Sequence, residues 1–342
     1  MTTNRRIDSL DVLRGLTMAL MVLVNNPGTW KAVYPPLRHA AWNGLTPTDC
    51  IFPTFLFVMG VSMYLSFRKS NFRPGWKVLR RTVLLIGIGL LLNYISTLVR
   101  GGGPLRFTGV LQRFGLCFGI TAVLVCTVEH KWLPWIAALL LGAYSAILFL
   151  GSGYAYGPDN LLSRVDIGVF GAGHIYNDHN IDPEGLLSTL PSIAHTLIGF
   201  LVGGLLARRD DSVILGVGVL LVTAGVVLAL WLPLNKKVWS PSFALTTCGI
   251  ATLLLGLFDW LIDDRRVWRQ TGFFKTFGTN AIYCYIIAHI VAWVSDLTGF
   301  HRWFMDIAGR TEFTSLVYAL LCVAIVYLAA LPLYRRKIFI KL

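Results

Sequence analysis

The chain has 342 residues, of which 55% are hydrophobic and only 14% charged, and its mean hydropathy is +0.65. Soluble globular proteins carry about 25% charged residues, so this composition excludes a pair of soluble domains and describes a polytopic membrane protein. Thirty Lys and Arg stand against 17 Asp and Glu, a net charge of +13. The excess is spread between long apolar runs and not gathered on one face, which makes it a topology signal and excludes nucleic-acid binding.

The apolar runs predict ten helices across the bilayer, at about 10–27, 50–67, 82–99, 109–128, 132–150, 190–207, 212–232, 243–262, 276–295 and 313–333. Each is long enough for a hydrocarbon core of about 30 Å. Asp8, Asp11 and Arg14 interrupt the entry to the first run and no small-residue cleavage site follows it, so it reads as a span and not as a cleaved signal. With both termini cytosolic, twenty Lys and Arg fall on inner segments, nine on outer segments, and Arg113 within a span. That bias obeys the positive-inside rule and predicts an all-α bundle, N-in and C-in. No internal repeat or linker interrupts it, so one membrane domain over 1–342 is expected. The six cysteines lie in or beside apolar runs without metal-ligand spacing, and read as small core residues with no disulfide and no metal.

Two outer segments stand out. The first, about 28–49, sets Trp30, Tyr34, Trp42 and three prolines around a lone His39. The second, about 151–189, is rich in Gly, Asp and His, including Asp166, Asp178, Asp182 and Glu184, and has no clear period. A loop that long is usually functional or disordered, and its composition suits an ordered polar lid.

Ionisable groups at membrane depth are costly and mark pathways or sites. Asp11 and Arg14, at i and i+3, can pair with each other. Asp49 can cap the span that begins at Cys50, Asp259 sits near an inner helix end, and His195 and His289 read as core histidines. Arg113 cannot shed its proton and needs an acceptor from a neighbouring helix or a ligand. Asn25 and His39 make the sharper pair: an imidazole can serve as general base and an amide can stabilise an oxyanion.

At His39 the sequence resembles a known family. The stretch from Leu10 to Gly60, with Leu-Asp-Val-Leu-Arg-Gly, Val-Leu-Val-Asn, His-Ala-Ala-Trp-Asn-Gly-Leu-Thr-Pro-Thr-Asp and Phe-Pro-Thr-Phe-Leu-Phe-Val-Met-Gly, is similar to the heparan-α-glucosaminide N-acetyltransferases. Gly-Val-Leu-Gln-Arg-Phe-Gly (109–115), Asp-Pro-Glu-Gly-Leu-Leu-Ser-Thr-Leu (182–190), Leu-Asn-Lys-Lys-Val-Trp-Ser (234–240) and Gly-Thr-Asn-Ala-Ile (278–282) follow in the family's order. The short chain resembles bacterial inner-membrane homologues that lack the lumenal region of the lysosomal members. The resemblance implies a multi-pass enzyme of the inner membrane that moves an acetyl group from cytosolic acetyl-CoA to a glucosamine-type amine on the periplasmic side. It implies that His39, Asn25 and Asp49 are the catalytic residues, and it points to a homodimer. Arg14, Arg113 and Asn280 are expected along the acetyl-CoA path, the phosphates staying at the basic cytosolic mouth. Trp42, Asn43, Asp166, His174 and Asp182 are expected on the acceptor side. An amino-sugar or N-acetylglucosamine transporter is the rival reading, because intramembrane polar residues also line transport paths; the lack of repeats counts against it.

Overall fold

The structure, a computed structural model, describes residues 7–73, 75–157, 159–176 and 181–340. Asp178 of the second outer segment lies outside the described residues, as do Arg5, Arg6 and Lys341 among the inner charges. The described chain is helical. Nine of its helical segments are long and apolar enough to cross a membrane, and together they make a polytopic helical bundle. The chain packs as two units: Met1–His39, Thr46–Phe52 and Leu253–Lys341 form the first, and Ala40–Leu45 with Pro53–Thr252 the second.

In the first unit, α1 (Asp8–Asn25) is an eighteen-residue helix that falls outside the nine apolar segments. Asp8, Asp11 and Arg14 enter its first two turns, so one of the ten expected spans is set apart by its charge. Its N-terminus is met by carboxylates: Ser9 Oγ donates to Asp259 Oδ1 (3.1 Å) and Ser9 N to Asp263 Oδ2 (2.8 Å), where the helix dipole favours negative charge. The run expected at 276–295 is broken at Asn280 into α10 (Gly272–Thr279) and α11 (Ala281–Thr298). A short amphipathic helix, α12 (Phe300–Ala308), precedes α13 (Glu312–Arg335). α1 lies against α10 at a glycine crossing: a Cβ on Gly15 would stand 1.8 Å from Phe274 O, and one on Gly278 1.9 Å from Asp11 O.

The second unit holds most of α2 (Ile51–Phe67), then α3 (Trp76–Val99), α4 (Val110–Thr127), α5 (Leu133–Leu150), α6 (Leu161–Phe170), α7 (Thr189–Arg208), α8 (Asp211–Leu228) and most of α9 (Pro241–Phe258). Without a hydrophobic force between helices in lipid, small residues at crossings let backbones approach. Gly60 of α2 faces Gly199 of α7 in this way, and Gly225 of α8 abuts Thr246 of α9. The second outer segment, expected from sequence to lack a period, contains the amphipathic helix α6, N-capped by Asn160, whose side chain accepts from Leu162 N (2.9 Å). No disulfide joins the cysteines, and Cys117, Cys248, Cys284 and Cys322 are buried.

Candidate functional site

His39 lies in the loop that leaves α1. Downstream, Pro47–Cys50 forms a short 3-10 turn leading into α2, and Asp49 is its third residue. The spacing Thr-Pro-Thr-Asp explains the turn: Thr46 is the N-cap and Asp49 reaches back to the cap's backbone N–H (3.1 Å), a capping box. This fixes one carboxylate oxygen, Oδ2. The other, Oδ1, lies 2.7 Å from His39 Nδ1. Asp49 is wholly buried, while the His39 side chain is 44% exposed. An ionised carboxylate can only accept, so Nδ1 carries the proton of the neutral ring and Nε2 keeps a lone pair for an incoming proton. The buried acid orients the ring and would stabilise its charged form. Asn25 is the last residue of α1 and is exposed, whereas its neighbour Asn26 is buried and turns back to Val22 O (2.8 Å).

In the second unit, Trp42 and Asn43 are held by two other loops. The Trp42 indole N–H donates to Tyr154 O (3.2 Å) and its ring lies 4.7 Å from that of Tyr156. Asn235, fully buried, donates from Nδ2 to Asn43 Oδ1 (3.1 Å), and Gly44 N donates to Leu234 O (2.8 Å). The 234–240 block therefore serves as a template for the loop that follows His39.

Asp182 is a hub. Its buried carboxylate accepts from Arg106 Nε (3.0 Å) and an Arg106 terminal nitrogen (2.6 Å), from Thr108 Oγ1, and from the backbone N–H of Tyr176 (2.8 Å) and Glu184 (2.9 Å). Burial opposes its ionisation, but the Arg106 charge and these hydrogen bonds outweigh it and hold its pKa below the ordinary carboxylate range. His174 donates from Nδ1 to Leu105 O (2.7 Å) and stacks on Phe107 at 4.7 Å. Asp182 and His174 thus both tie the outer segment to residues 105–108. Asp166 of α6 accepts from Leu186 N (2.8 Å) with Oδ1, while its buried Oδ2 has no hydrogen-bond partner among the described residues. Burial pushes its pKa up to about 6, with Asp182 adding to the shift and the Leu186 N–H and Arg113 opposing it.

Arg113 of α4, 1% exposed, finds its acceptors in the turn before α7 and in the first turn of α7. Its guanidinium donates to Gly185 O (2.7 Å), Ser188 O (3.1 Å), Ser188 Oγ (2.5 Å) and Ser192 Oγ (2.9 Å), and it lies 5.5 Å from the Trp239 ring centre. The 185–188 turn is thereby gripped by Arg113 on one side and Asp166 on the other. Arg14 pairs with Asp11 (3.0 Å) and donates to Gly278 O (3.2 Å), its side chain remaining 23% exposed. Asn280 donates to Ile338 O (3.0 Å) and accepts from Ile340 N (2.8 Å), pinning the chain beyond α13. Arg113 and Asn280 are each already engaged, Arg113 with carbonyls and hydroxyls of 185–192 and Asn280 with the backbone at 338–340. Among the described residues no three His, Cys, Asp or Glu side chains gather as a metal site.

Sequence reading passed over Thr46, Arg106, Thr108 and Asn235. Only Thr46 carried a local signal, its spacing of three from Asp49; the others meet their partners from far along the chain.

Residues 6–216 match the family described as "Heparan-alpha-glucosaminide N-acetyltransferase, catalytic". Over 98% of its length the chain is 30% identical to human heparan-alpha-glucosaminide N-acetyltransferase (Homo sapiens) and 28% identical to that of the mouse (Mus musculus). It spans 60% of the length of each of these curated relatives. With 211 of its residues in the catalytic match and similarity running on to nearly its full length, the chain belongs to the heparan-alpha-glucosaminide N-acetyltransferase family.

Proposed function

We propose that this chain is a transmembrane acetyltransferase, moving the acetyl group of cytosolic acetyl-CoA to the amine of a glucosamine-type sugar on the periplasmic side of the inner membrane. The observation that carries this reading is the His39–Asp49 pair, an open imidazole 2.7 Å from a wholly buried carboxylate, in a chain of this family. His39 Nε2 takes a proton from the attacking amine as nitrogen bonds to the acetyl carbon. The carbon–sulfur bond then breaks and the proton passes to the leaving thiolate. Asp49 orients the ring and offsets the imidazolium charge, and the exposed Asn25 amide donates to the developing oxyanion.

On the donor side, Arg14 is partly open and meets the phosphates of acetyl-CoA at the cytosolic mouth. Arg113 and Asn280 support this path by fixing the backbone at 185–188 and 338–340. On the acceptor side, Trp42 offers an aromatic face for a sugar, and Asn43, Asp166, His174 and Asp182 hold the loops around it. The excess of Lys and Arg on the segments read as inner supports this sidedness.

The test is transfer from labelled acetyl-CoA to glucosamine by the purified protein in detergent. General base catalysis contributes about 10²–10⁴-fold, so His39→Ala is expected to lose at least about 100-fold in kcat while acetyl-CoA still raises its melting temperature. Unchanged turnover in His39→Ala would overturn the assignment.

A further inference from the structure

An N-cap needs a hydroxyl facing its own helix and nothing more, yet Thr46 does more. Its Oγ1 lies 2.9 Å from Asp49 Oδ2 and 2.8 Å from the carbonyl of Arg38, the residue before His39, and it accepts from Asp49 N at 3.3 Å. Thr46 N also donates to Asp49 Oδ2 (3.1 Å). One hydroxyl proton is therefore shared between the carboxylate that faces the imidazole and the peptide that bears it. The loop from Arg38 to Thr46 is closed at its base by this side chain, and Asp49 Oδ1 meets His39 across that closure. Neither the bond to Arg38 nor the approach of His39 belongs to helix capping.

We propose that Thr46 is a positioning residue of the acyl-transfer site: its hydroxyl sets the Asp49 carboxylate and the backbone before His39 at one distance, so that the imidazole is held for proton abstraction. The proposal rests on His39 acting as the base. The physical reason is geometric. Without the hydroxyl, Asp49 Oδ2 and the Arg38 carbonyl each lose the partner that links them, so the carboxylate and the loop base are no longer tied to one another. Misplacement of a catalytic group by about 1 Å can cost 100-fold in rate.

Five variants separate positioning from capping. Thr46→Val removes the hydroxyl and keeps the backbone. Thr46→Ser restores it. Thr46→Gly also removes the hydroxyl, yet Gly is about as good an N-cap as Thr and adds no charge beside Asp49. Asp49→Asn with and without Thr46→Val tests whether the effect passes through the carboxylate. Labelled acetyl-CoA and glucosamine are the substrates, with melting temperature and the acetyl-CoA KM measured beside kcat.

Thr46→Val and Thr46→Gly are expected to lower kcat about 10- to 100-fold with the acetyl-CoA KM within about twofold of wild type. Thr46→Gly should also keep a melting temperature close to that of wild type, and Thr46→Ser should return kcat to within about threefold. Thr46→Val should add little to Asp49→Asn, because residues acting as a unit are non-additive. Wild-type kcat in Thr46→Gly, or a Thr46→Val loss that adds in full to that of Asp49→Asn, would overturn the proposal. His39→Ala in the same assay keeps the two readings apart. If it is inactive while Thr46→Val and Thr46→Gly run at full rate, only the role of Thr46 falls; if it is fully active, the base assignment falls and Thr46 with it.

Discussion

The crossing of α1 and α10 gives the sharpest test of the packing that supports the site. A Cβ placed on Gly15 would stand 1.8 Å from Phe274 O, 2.6 Å from the Phe274 carbonyl carbon and 3.0 Å from Gly278 N. The first two neighbours are backbone in the middle of a helix and cannot swing away as a side chain would. Separations below 3.0 Å are essentially never adopted by a real Cβ, so the helices must part by about 1.2 Å. The Arg14 hydrogen bond to Gly278 O, already 3.2 Å long, would then pass out of range. Overpacking costs about 1–3 kcal/mol and a lost hydrogen bond about 1 more. Gly15→Ala should therefore destabilise by about 2–4 kcal/mol. At roughly 2–4 °C per kcal/mol, that lowers the melting temperature in detergent by about 4–16 °C. Gly216→Ala on α8 is the control, since a Cβ there meets nothing within 4 Å and Ala favours a helix over Gly. If Gly15→Ala melts within about 2 °C of Gly216→Ala, α1 and α10 do not cross as closely as described and the reasoning fails.

Two carboxylates of the outer segment should respond to pH in opposite directions. Asp166 is raised to about 6 in the folded protein against about 4 unfolded. The folded state then binds the extra proton, and stability declines as pH climbs from about 4 to 6 and levels off above. Asp166→Asn should flatten that slope; equal slopes in variant and wild type, read from melting curves between pH 4 and 7.5, would refute the assignment. Asp182 is lowered, so its contribution is present above the unfolded carboxylate pKa and is lost as pH falls below it. Arg106→Gln leaves the buried Asp182 charge without its bidentate partner and should cost about 2–4 kcal/mol. It is read as faster proteolytic cleavage within 151–189 at pH 7; unchanged cleavage there would show that the hub does not hold the segment.

The helical membrane architecture was legible in the sequence because a bilayer core accepts only long apolar segments with their backbone satisfied internally. Nine of the ten expected spans meet that requirement among the described residues. The exception, α1, was flagged by the same three charges that set it apart, and Asn280 broke a run that hydropathy alone had carried through. The functional pair was half legible. His39 and Asp49 are ten residues apart and Thr46 stands three before Asp49, so local spacing and family resemblance could single out His39 and Asp49, and capping chemistry could link Thr46 to Asp49.

Distance in the chain hid the rest. Arg113 needed an acceptor on any reading of the sequence, but the carbonyls and serines that supply it come from residues 185–192. Asp182 looked like one acid among several until Arg106 and Thr108 closed on it. Gly15 and Gly278 sat in two separate sequence blocks, and only the fold makes them one contact, where helix backbones touch because neither carries a Cβ. Sequence alone determined which segments are long and apolar enough to span a bilayer and placed Asp49 at the entry to α2, though as the N-cap; in the structure Thr46 is the N-cap and Asp49 reaches back to it. Tertiary structure decided which buried charges have partners, because hydrogen bonds depend on positions in space that lie tens to hundreds of residues apart along the chain.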